Sequence, residues 1–509
     1  MNRRGFLGAA CGLAGLGVAS PALALPRLRN YPRLTFYGST QQVSGSCHIL
    51  ECSKGLFLVD CGLFYPDIPN RDQENREFPF DPKEVKALLL THAHVDHIGR
   101  LPVLVERGFK GKVYCTDATR DLVQAILEMV QNTPGETQVS SELFSKEACA
   151  KLLKSIEAIS YNTRMEREGL LLRYTDAGHL LGSAMIEVWV DDVKLLFSGD
   201  MGPDFAPILC KPTQHFGADA VLVESTYGPT ARDTINFDEF GKKIQKVIEG
   251  GGSVLLPAFA MHKSQCLIYV LHKLRQDRII KEDVPIISDS ATAQKCTELY
   301  QRYKEYHDPD AKKFGTLFYR DKYREMSSKE SLKLHDNKDY GPAIFISTSG
   351  MLDHATAPKH FIKMAGEEKN AIFLVGYQAP DSVGSRVQKG DKRIQVPWES
   401  EEGGEFKRVM KDVDVKLQVM QQKGFSSHAR GQQILEWLGG FKKGVGQVCF
   451  VHGDKEKATG MADAAKKMNV EAIAPKRNDT IVIKPQRSVA GAAPTLPPAL
   501  SEGFSPVDR

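Results

Sequence analysis

Four potential metal ligands stand within six residues in the stretch Thr91-His92-Ala93-His94-Val95-Asp96-His97-Ile98-Gly99. They directly follow Val85-Lys86-Ala87-Leu88-Leu89-Leu90, a short apolar run that reads as a buried strand. Side chains on a straight strand alternate faces, so a strand alone cannot aim His92, His94, Asp96 and His97 at one point. A loop folded back on itself can. Gly99 and the Leu/Val-rich segment after it therefore predict the order strand, ligand-bearing loop, helix. Imidazole nitrogens with a carboxylate suit a borderline divalent ion, zinc first, with manganese or iron as alternatives.

Other candidate ligands share that context. Short β-like runs at 34–37, 48–52 and 56–60 precede the cluster, and the third ends on Asp60. The run Leu170-Leu171-Leu172-Arg173-Tyr174 leads to Asp176-Ala177-Gly178-His179. Strands predicted at 184–190 and 193–197 close on Ser198-Gly199-Asp200, and Ala220–Val223 delivers Glu224-Ser225-Thr226-Tyr227-Gly228. A strand at 447–451 ends on His452. Asp60, the 92–97 cluster, His179, Asp200 and His452 thus each follow a predicted strand, and the ends of neighbouring strands can share one rim. Of fourteen histidines, only 92, 94, 97, 179, 428 and 452 have such a setting; the other eight read as surface or satisfied core.

Helices are expected at 102–108, 119–131 and 143–157. From about 235 the chain alternates helix (237–249, 262–275, 291–307) and buried strand (253–257, 284–288, later 343–347 and 371–375), the pattern of an α/β unit with parallel strands. The polar loops Ser288-Asp289-Ser290, Ser347-Thr348-Ser349-Gly350 and Gly376-Tyr377-Gln378-Ala379 follow these strands. Ligands in open α/β sheets bind beyond the carboxyl ends of strands, so these loops are candidates for substrate contact. The acidic stretch around 394–412 reads as a surface loop, followed by a strand at 413–420, the segment Phe425-Ser426-Ser427-His428, helices at 430–441 and 455–467 and a last strand at 480–484. Residues 486–509, rich in Pro, Ala and Ser, read as a disordered tail.

A chain of 509 residues suggests two or three domains, and 42% hydrophobic with 26% charged residues marks a globular protein with ample core. Residues 1–25 read as a targeting segment: Asn2-Arg3-Arg4-Gly5-Phe6-Leu7 resembles the twin-arginine export motif, and Ala22-Leu23-Ala24 is an A-x-A cleavage pattern. The expected location is periplasmic or extracellular, or cytoplasmic if the signal does not function, with no stable membrane insertion of the mature chain. Cleavage would remove Arg3 and Arg4 and no acids, leaving 65 Lys and Arg against 63 Asp and Glu. So weak a net charge means that any nucleic-acid binding rests on a local groove. Ten cysteines form no C-x-x-C pair and no disulfide framework, and most read as small core residues.

His92-x-His94-x-Asp96-His97 with Asp60, His179 and Asp200 resembles the metallo-β-lactamase fold signature. Glu224-Ser225-Thr226-Tyr227-Gly228, Phe425-Ser426-Ser427-His428 and Val451-His452-Gly453 are similar to the further motifs of the β-CASP nucleases, across roughly residues 33–485. The resemblance implies an α/β fold: a metallo-β-lactamase αββα sandwich at 31–228 and 413–485, with a β-CASP domain inserted at 229–412. It implies that His92, His94 and His179 bind one zinc, that Asp96, His97 and His452 bind a second, and that Asp200 bridges them, with manganese an alternative metal. Asp60 would hold a ligand histidine in its tautomer. Asp96, Asp200, Glu224 and His428 would be catalytic, with His428 as general acid and Glu224 orienting it. Histidine at the position of His452 resembles the RNA-directed members of the family, so the implied partner is RNA or another single-stranded nucleic acid; a homodimer is also compatible.

Backbone amides at 348–350 and 382–386 are expected to cradle phosphates, with Ser349, Gly350, Gln378, Ser382 and Arg386 as substrate contacts. Lys312, Lys313 and the basic residues from Arg320 to Lys333 could extend a groove, although interleaved acids favour a solvated helix there. The chain also departs from the family pattern. Relatives usually read Ala-Phe-Ala-x-Gly-Arg where this chain has Ala258-Phe259-Ala260-Met261-His262-Lys263, which removes a bidentate arginine. The alternative to a nuclease is a hydrolase of the same fold acting on a non-nucleic ester or phosphodiester outside the cytoplasm.

Overall fold

The computed structural model describes residues 31–65, 68–132, 143–233, 235–314, 323–337, 341–402 and 405–486. The targeting segment and the tail beyond 486 lie outside them. Two seven-stranded sheets form the body. The first has the order Thr480–Val482, Arg33–Phe36, His48–Cys52, Gly55–Val59, Val85–Leu89, Lys112–Cys115, Ile156–Ala158. The second has the order Glu471–Ile473, Val445–Val451, Ala218–Glu224, Val193–Phe197, Ala184–Val190, Leu170–Asp176, Arg164–Arg167. One core cluster joins Phe36, Phe57, Val59 and Leu89 of the first sheet to Leu172, Ile186, Val188 and Phe197 of the second, so the sheets face each other. Helices cover the outer faces: Asp117–Asn132 and Lys146–Ser155 pack on the first sheet, and Gly431–Gly439 and Lys455–Lys466 on the second. This is the expected αββα sandwich.

Between the halves of the second sheet runs an inserted six-stranded sheet. Its order is Arg324–Glu325, Ile286–Ser288, Ile344–Ser347, Val254–Pro257, Ala371–Leu374, Gln418–Gln421, and every pairing is parallel. Parallel strands covered on both faces carry continuous apolar runs, and the strands 254–257, 286–288, 344–347 and 371–374 are buried at every position.

Strand direction collects the loops. Gly55–Val59 and Val85–Leu89 run parallel with Val59 opposite Leu89, so Asp60 and the histidine cluster leave the first sheet side by side. In the second sheet Val193–Phe197, Ala218–Glu224 and Val445–Val451 are parallel, with Glu224 opposite Val451. Asp200, Glu224 and His452 therefore emerge at one end.

The acidic stretch expected as a loop is instead an antiparallel hairpin, Arg393–Glu402 with Glu405–Asp414. Ile394, Val396, Val413 and Val415 alternate into the inserted domain's core, a period-two signal that the acidic run at its tip obscured. The strand expected at 413–420 divides accordingly: the hairpin ends at Asp414 and a separate strand, Gln418–Gln421, joins the inserted sheet. The helix expected over 143–157 spans only Lys146–Ser155, because Ile156 turns extended (φ −74°, ψ 127°) and starts an edge strand beside Val113. The helix expected over 291–307 ends at Arg302 and gives way to a short 3-10 turn, Lys304–Tyr306. Among the described residues no helix is long and apolar enough to cross a membrane.

Candidate metal centre

The ligand loop folds as its spacing predicts. His92 and His94 lie in the loop, and His94 caps the four-residue helix Val95–Ile98 that carries Asp96 and His97. Two glycines permit close approaches around it. A Cβ on Gly62 would lie 1.4 Å from the Asp96 carbonyl oxygen, and one on Gly202 would lie 1.9 Å from that of Gly178. Larger residues would push Asp60 away from His97 and Asp200 away from His179. Asp60 (φ 61°) and His452 (φ 51°) adopt left-handed backbone, which turns each side chain off its strand end toward the centre.

Three imidazole nitrogens converge: His94 Nδ1 is 3.1 Å from His92 Nε2 and 2.9 Å from His179 Nε2. On the other side His452 Nε2 is 3.1 Å from Asp96 Oδ2. Asp200 stands between the two groups. Its Oδ2 is 3.4 Å from both His92 Nε2 and His179 Nε2, while its Oδ1 is 3.4 Å from His97 Nε2 and 3.6 Å from His452 Nε2. All six partners and Asp200 are buried or nearly so.

The outer ring nitrogens of His92, His97 and His179 are occupied, which fixes what their inner ones offer. Asp60 accepts from the Thr91 amide (2.8 Å), the Thr91 hydroxyl (2.8 Å) and His97 Nδ1 (2.7 Å). The Thr91 hydroxyl, having donated to Asp60, accepts from His92 Nδ1 at 3.0 Å. His179 Nδ1 donates to the Ser427 carbonyl at 2.7 Å. His92, His97 and His179 in their neutral forms therefore present bare Nε2 lone pairs inward, and His94 presents Nδ1.

Burial, with the charge of His97 adding to it, pulls His92 down to about 3, and burial pulls His94 to about 4 against the opposing Asp96 and Asp200 carboxylates, so both are neutral, the form a metal ligand requires. Burial opposes ionisation of Asp96 and Asp200, yet the surrounding histidines hold both below the usual carboxylate range. His97 Nε2 and Asp200 Oδ1 are buried without any hydrogen-bond partner. Unpaired buried polar atoms are rare because leaving them so costs about 1–3 kcal/mol each. A divalent cation would satisfy both, and the donor set of neutral imidazoles and carboxylates fits one.

Beside this centre, Glu224 and His428 form a pair. His428 Nδ1 lies 2.9 and 3.1 Å from the two Glu224 carboxylate oxygens. The Met201 amide donates to Glu224 at 2.7 Å and holds that carboxylate in place. Burial disfavours charge on His428, but Glu224, Asp200 and Asp96 outweigh it and raise the ring to about 9. Its Nε2 makes no hydrogen bond among the described residues. Thr226 adds a contact that no motif spacing announces. Its hydroxyl lies 3.0 Å from His452 Nδ1 and 3.3 Å from His428 Nδ1, linking the two rings; its only sequence signal was its place two residues after Glu224.

Family comparisons match this geometry. The metallo-beta-lactamase superfamily model matches residues 41–234, the Beta-Casp domain model 264–387, and the Zn-dependent metallo-hydrolase RNA specificity domain model 412–475. Ribonuclease TTHA0252 of Thermus thermophilus is 32% identical over 434 residues, covering 84% of this chain and 94% of the relative. The chain belongs to the β-CASP nucleases of the metallo-β-lactamase superfamily. Transcription termination factor FttA of Methanocaldococcus jannaschii is 27% identical over 481 residues, covering 89% of this chain and 72% of the relative. A crystal structure of a protein of unknown function from Enterococcus faecalis shares the fold at TM-score 0.51 and 12% identity, covering 89% of this chain and all of the other.

The loops of the β-CASP domain are arranged differently from expectation. The amides of Ser382, Val383, Gly384, Ser385 and Arg386 donate to Ala379, Asp353, Met351, Ser382 Oγ and the Ser382 carbonyl. Ser382 is the N-cap of helix Val383–Lys389. With every amide spent, 382–386 cannot cradle a phosphate. Arg386 pairs with Asp391 at 3.0 Å and reaches the Arg393 carbonyl, so its guanidinium is already engaged. Ser349 is buried and its hydroxyl accepts from the amides of Asp353 and His354. Gln378 donates to the Gly350 carbonyl at 3.0 Å, tying two strand-end loops together. These residues shape the rim instead of presenting free groups. Lys312 and Lys313 end the short helix Pro309–Lys313; Arg320 lies outside the described residues, and Ser328–Leu334 is a capped surface helix as its interleaved charges suggested.

Proposed function

We propose that this chain is a phosphodiesterase that hydrolyses RNA with two divalent ions, zinc first and manganese as the alternative. The observation that carries this reading is the division of Asp200 between two buried ligand groups, with the Glu224–His428 pair alongside. His92, His94 and His179 would hold one ion, Asp96, His97 and His452 the other, and Asp200 would touch both. Ions held there supply Lewis acidity and an acidified water. Asp60 keeps His97 in the tautomer that points Nε2 inward, and through Thr91 does the same for His92. His428 donates a proton from Nε2 to the leaving oxygen while Glu224 holds Nδ1 and offsets the ring's charge. The match to an RNA specificity domain and a relative named a ribonuclease support RNA as the polymer.

The test is an assay of zinc-loaded protein on end-labelled RNA and single-stranded DNA beside bis-p-nitrophenyl phosphate. RNA should be cleaved, and its product ladder separates endonuclease from exonuclease. Turnover of the small diester with RNA left intact would defeat the RNA assignment and point to a non-nucleic phosphodiester.

We also propose that residues 1–25 direct export through the twin-arginine route, from Arg3-Arg4 and the Ala22-Leu23-Ala24 pattern. Changing both arginines to lysine should leave the protein in the cytoplasmic fraction. Continued export of that variant would refute the assignment.

A further inference from the structure

Lys263 opens the fourteen-residue helix Lys263–Gln276 and is 7% exposed. Its ammonium meets neither a carboxylate nor a hydrogen-bond acceptor among the described residues. A buried cation without a partner is costly unless something outside supplies the anion. Burial pulls its pKa down to about 8, so it still carries charge at neutral pH. The helix N-terminus adds partial positive charge at the same place.

The surroundings indicate what that anion belongs to. A Cβ on Gly376 would lie 4.0 Å from Lys263 Cε and 3.8 Å from Phe259 Cε2, and one on Gly350 would lie 3.4 Å from Phe259 Cδ2. Phe259 thus lies across two strand ends that glycines leave open, with the lysine stem beside it. Phe259 is 36% exposed, and Tyr377, next to Gly376, is 59% exposed. Both follow the carboxyl ends of adjacent parallel strands, Val254–Pro257 and Ala371–Leu374. The helix start is anchored to the metal side. His262 Nδ1 lies 2.7 Å from the Tyr300 hydroxyl, which accepts from the Leu181 amide at 3.2 Å, two residues beyond His179.

We propose that Phe259, Tyr377 and Lys263 form a nucleotide subsite for single-stranded RNA, in which the two rings stack bases and the ammonium neutralises the phosphate between them. Exposed aromatics beside a cation are what unpaired strands bind, since every base offers a π-face. This subsite rests on RNA being the substrate. It also gives the lysine, found where relatives usually carry arginine, a point-charge role that needs no bidentate fork.

The test is fluorescence anisotropy of a labelled uridine octamer on metal-loaded protein carrying His428→Ala to suppress cleavage. Phe259→Ala and Tyr377→Ala should each raise Kd roughly tenfold. Lys263→Met should weaken binding and reduce the slope of log K against log salt by about 0.7, the contribution of one phosphate contact on a single strand, and Lys263→Arg should restore it. Duplex RNA, whose bases are already stacked, should bind all variants alike. No octamer binding, Kd values within twofold of the parent in all three variants, or equal losses for duplex would overturn the subsite. If bis-p-nitrophenyl phosphate is turned over and RNA is not, the substrate reading falls and the subsite with it, whereas RNA cleavage by the parent with octamer Kd unchanged in all three variants overturns the subsite alone.

Discussion

Asp200→Asn should remove metal and activity together. Asparagine keeps the shape of the side chain but loses the charge and one of the two oxygens that face the ligand groups, Oδ2 toward His92 and His179 and Oδ1 toward His97 and His452. A carboxamide nitrogen on either side would point N–H donors at imidazole lone pairs or at a cation. Bound metal per chain, measured by atomic emission, should fall below that of the parent. Because a metal ion supplies several kcal/mol of charge stabilisation in such a reaction, RNA cleavage should drop by at least about 10³-fold. The circular dichroism spectrum should be unchanged, since the fold is held by the three sheets and their cores. Full metal content with near-parental cleavage would mean that Asp200 does not join the two groups.

His428→Ala should separate chemistry from metal binding. His428 stands 4.0 Å from Asp200, and its Nδ1 is committed to Glu224 at 2.9 Å. Asp200, Glu224 and His428 are nonetheless close enough to hold an ion themselves, so the variant distinguishes an acid from a ligand. As a general acid, His428 is worth about 10²–10⁴-fold. RNA, with an alkoxide leaving group that needs a proton, should lose that full factor. Bis-p-nitrophenyl phosphate, with an acidic phenol to expel, should lose much less. Metal content should stay at the parental level. Loss of metal, or equal losses on the two substrates, would show His428 to be a ligand or a structural residue.

The ligand identities were legible because they are local. Four sit within six residues, and Asp60, His179, Asp200 and His452 each follow a strand whose apolar run is visible in the chain. Burial of parallel strands on both faces made the inserted α/β domain equally readable. What stayed hidden depends on partners far away in sequence. That His92 and His179 turn Nε2 inward follows from Thr91 and from the Ser427 carbonyl, 248 residues beyond His179. That Arg386 is consumed by Asp391, and that the amides of 382–386 close on themselves, could not be read from residue types suited to phosphate. The hairpin at 393–414 was hidden because its Ile394, Val396 and Val413 join a core with residues more than a hundred positions earlier, such as Leu255. The sequence by itself determined which atoms can bind a metal and that they sit at strand ends. Only the tertiary structure decided which lone pairs face inward and which cations remain unpaired, because hydrogen-bond partners and burial are set by chain segments that meet only on folding.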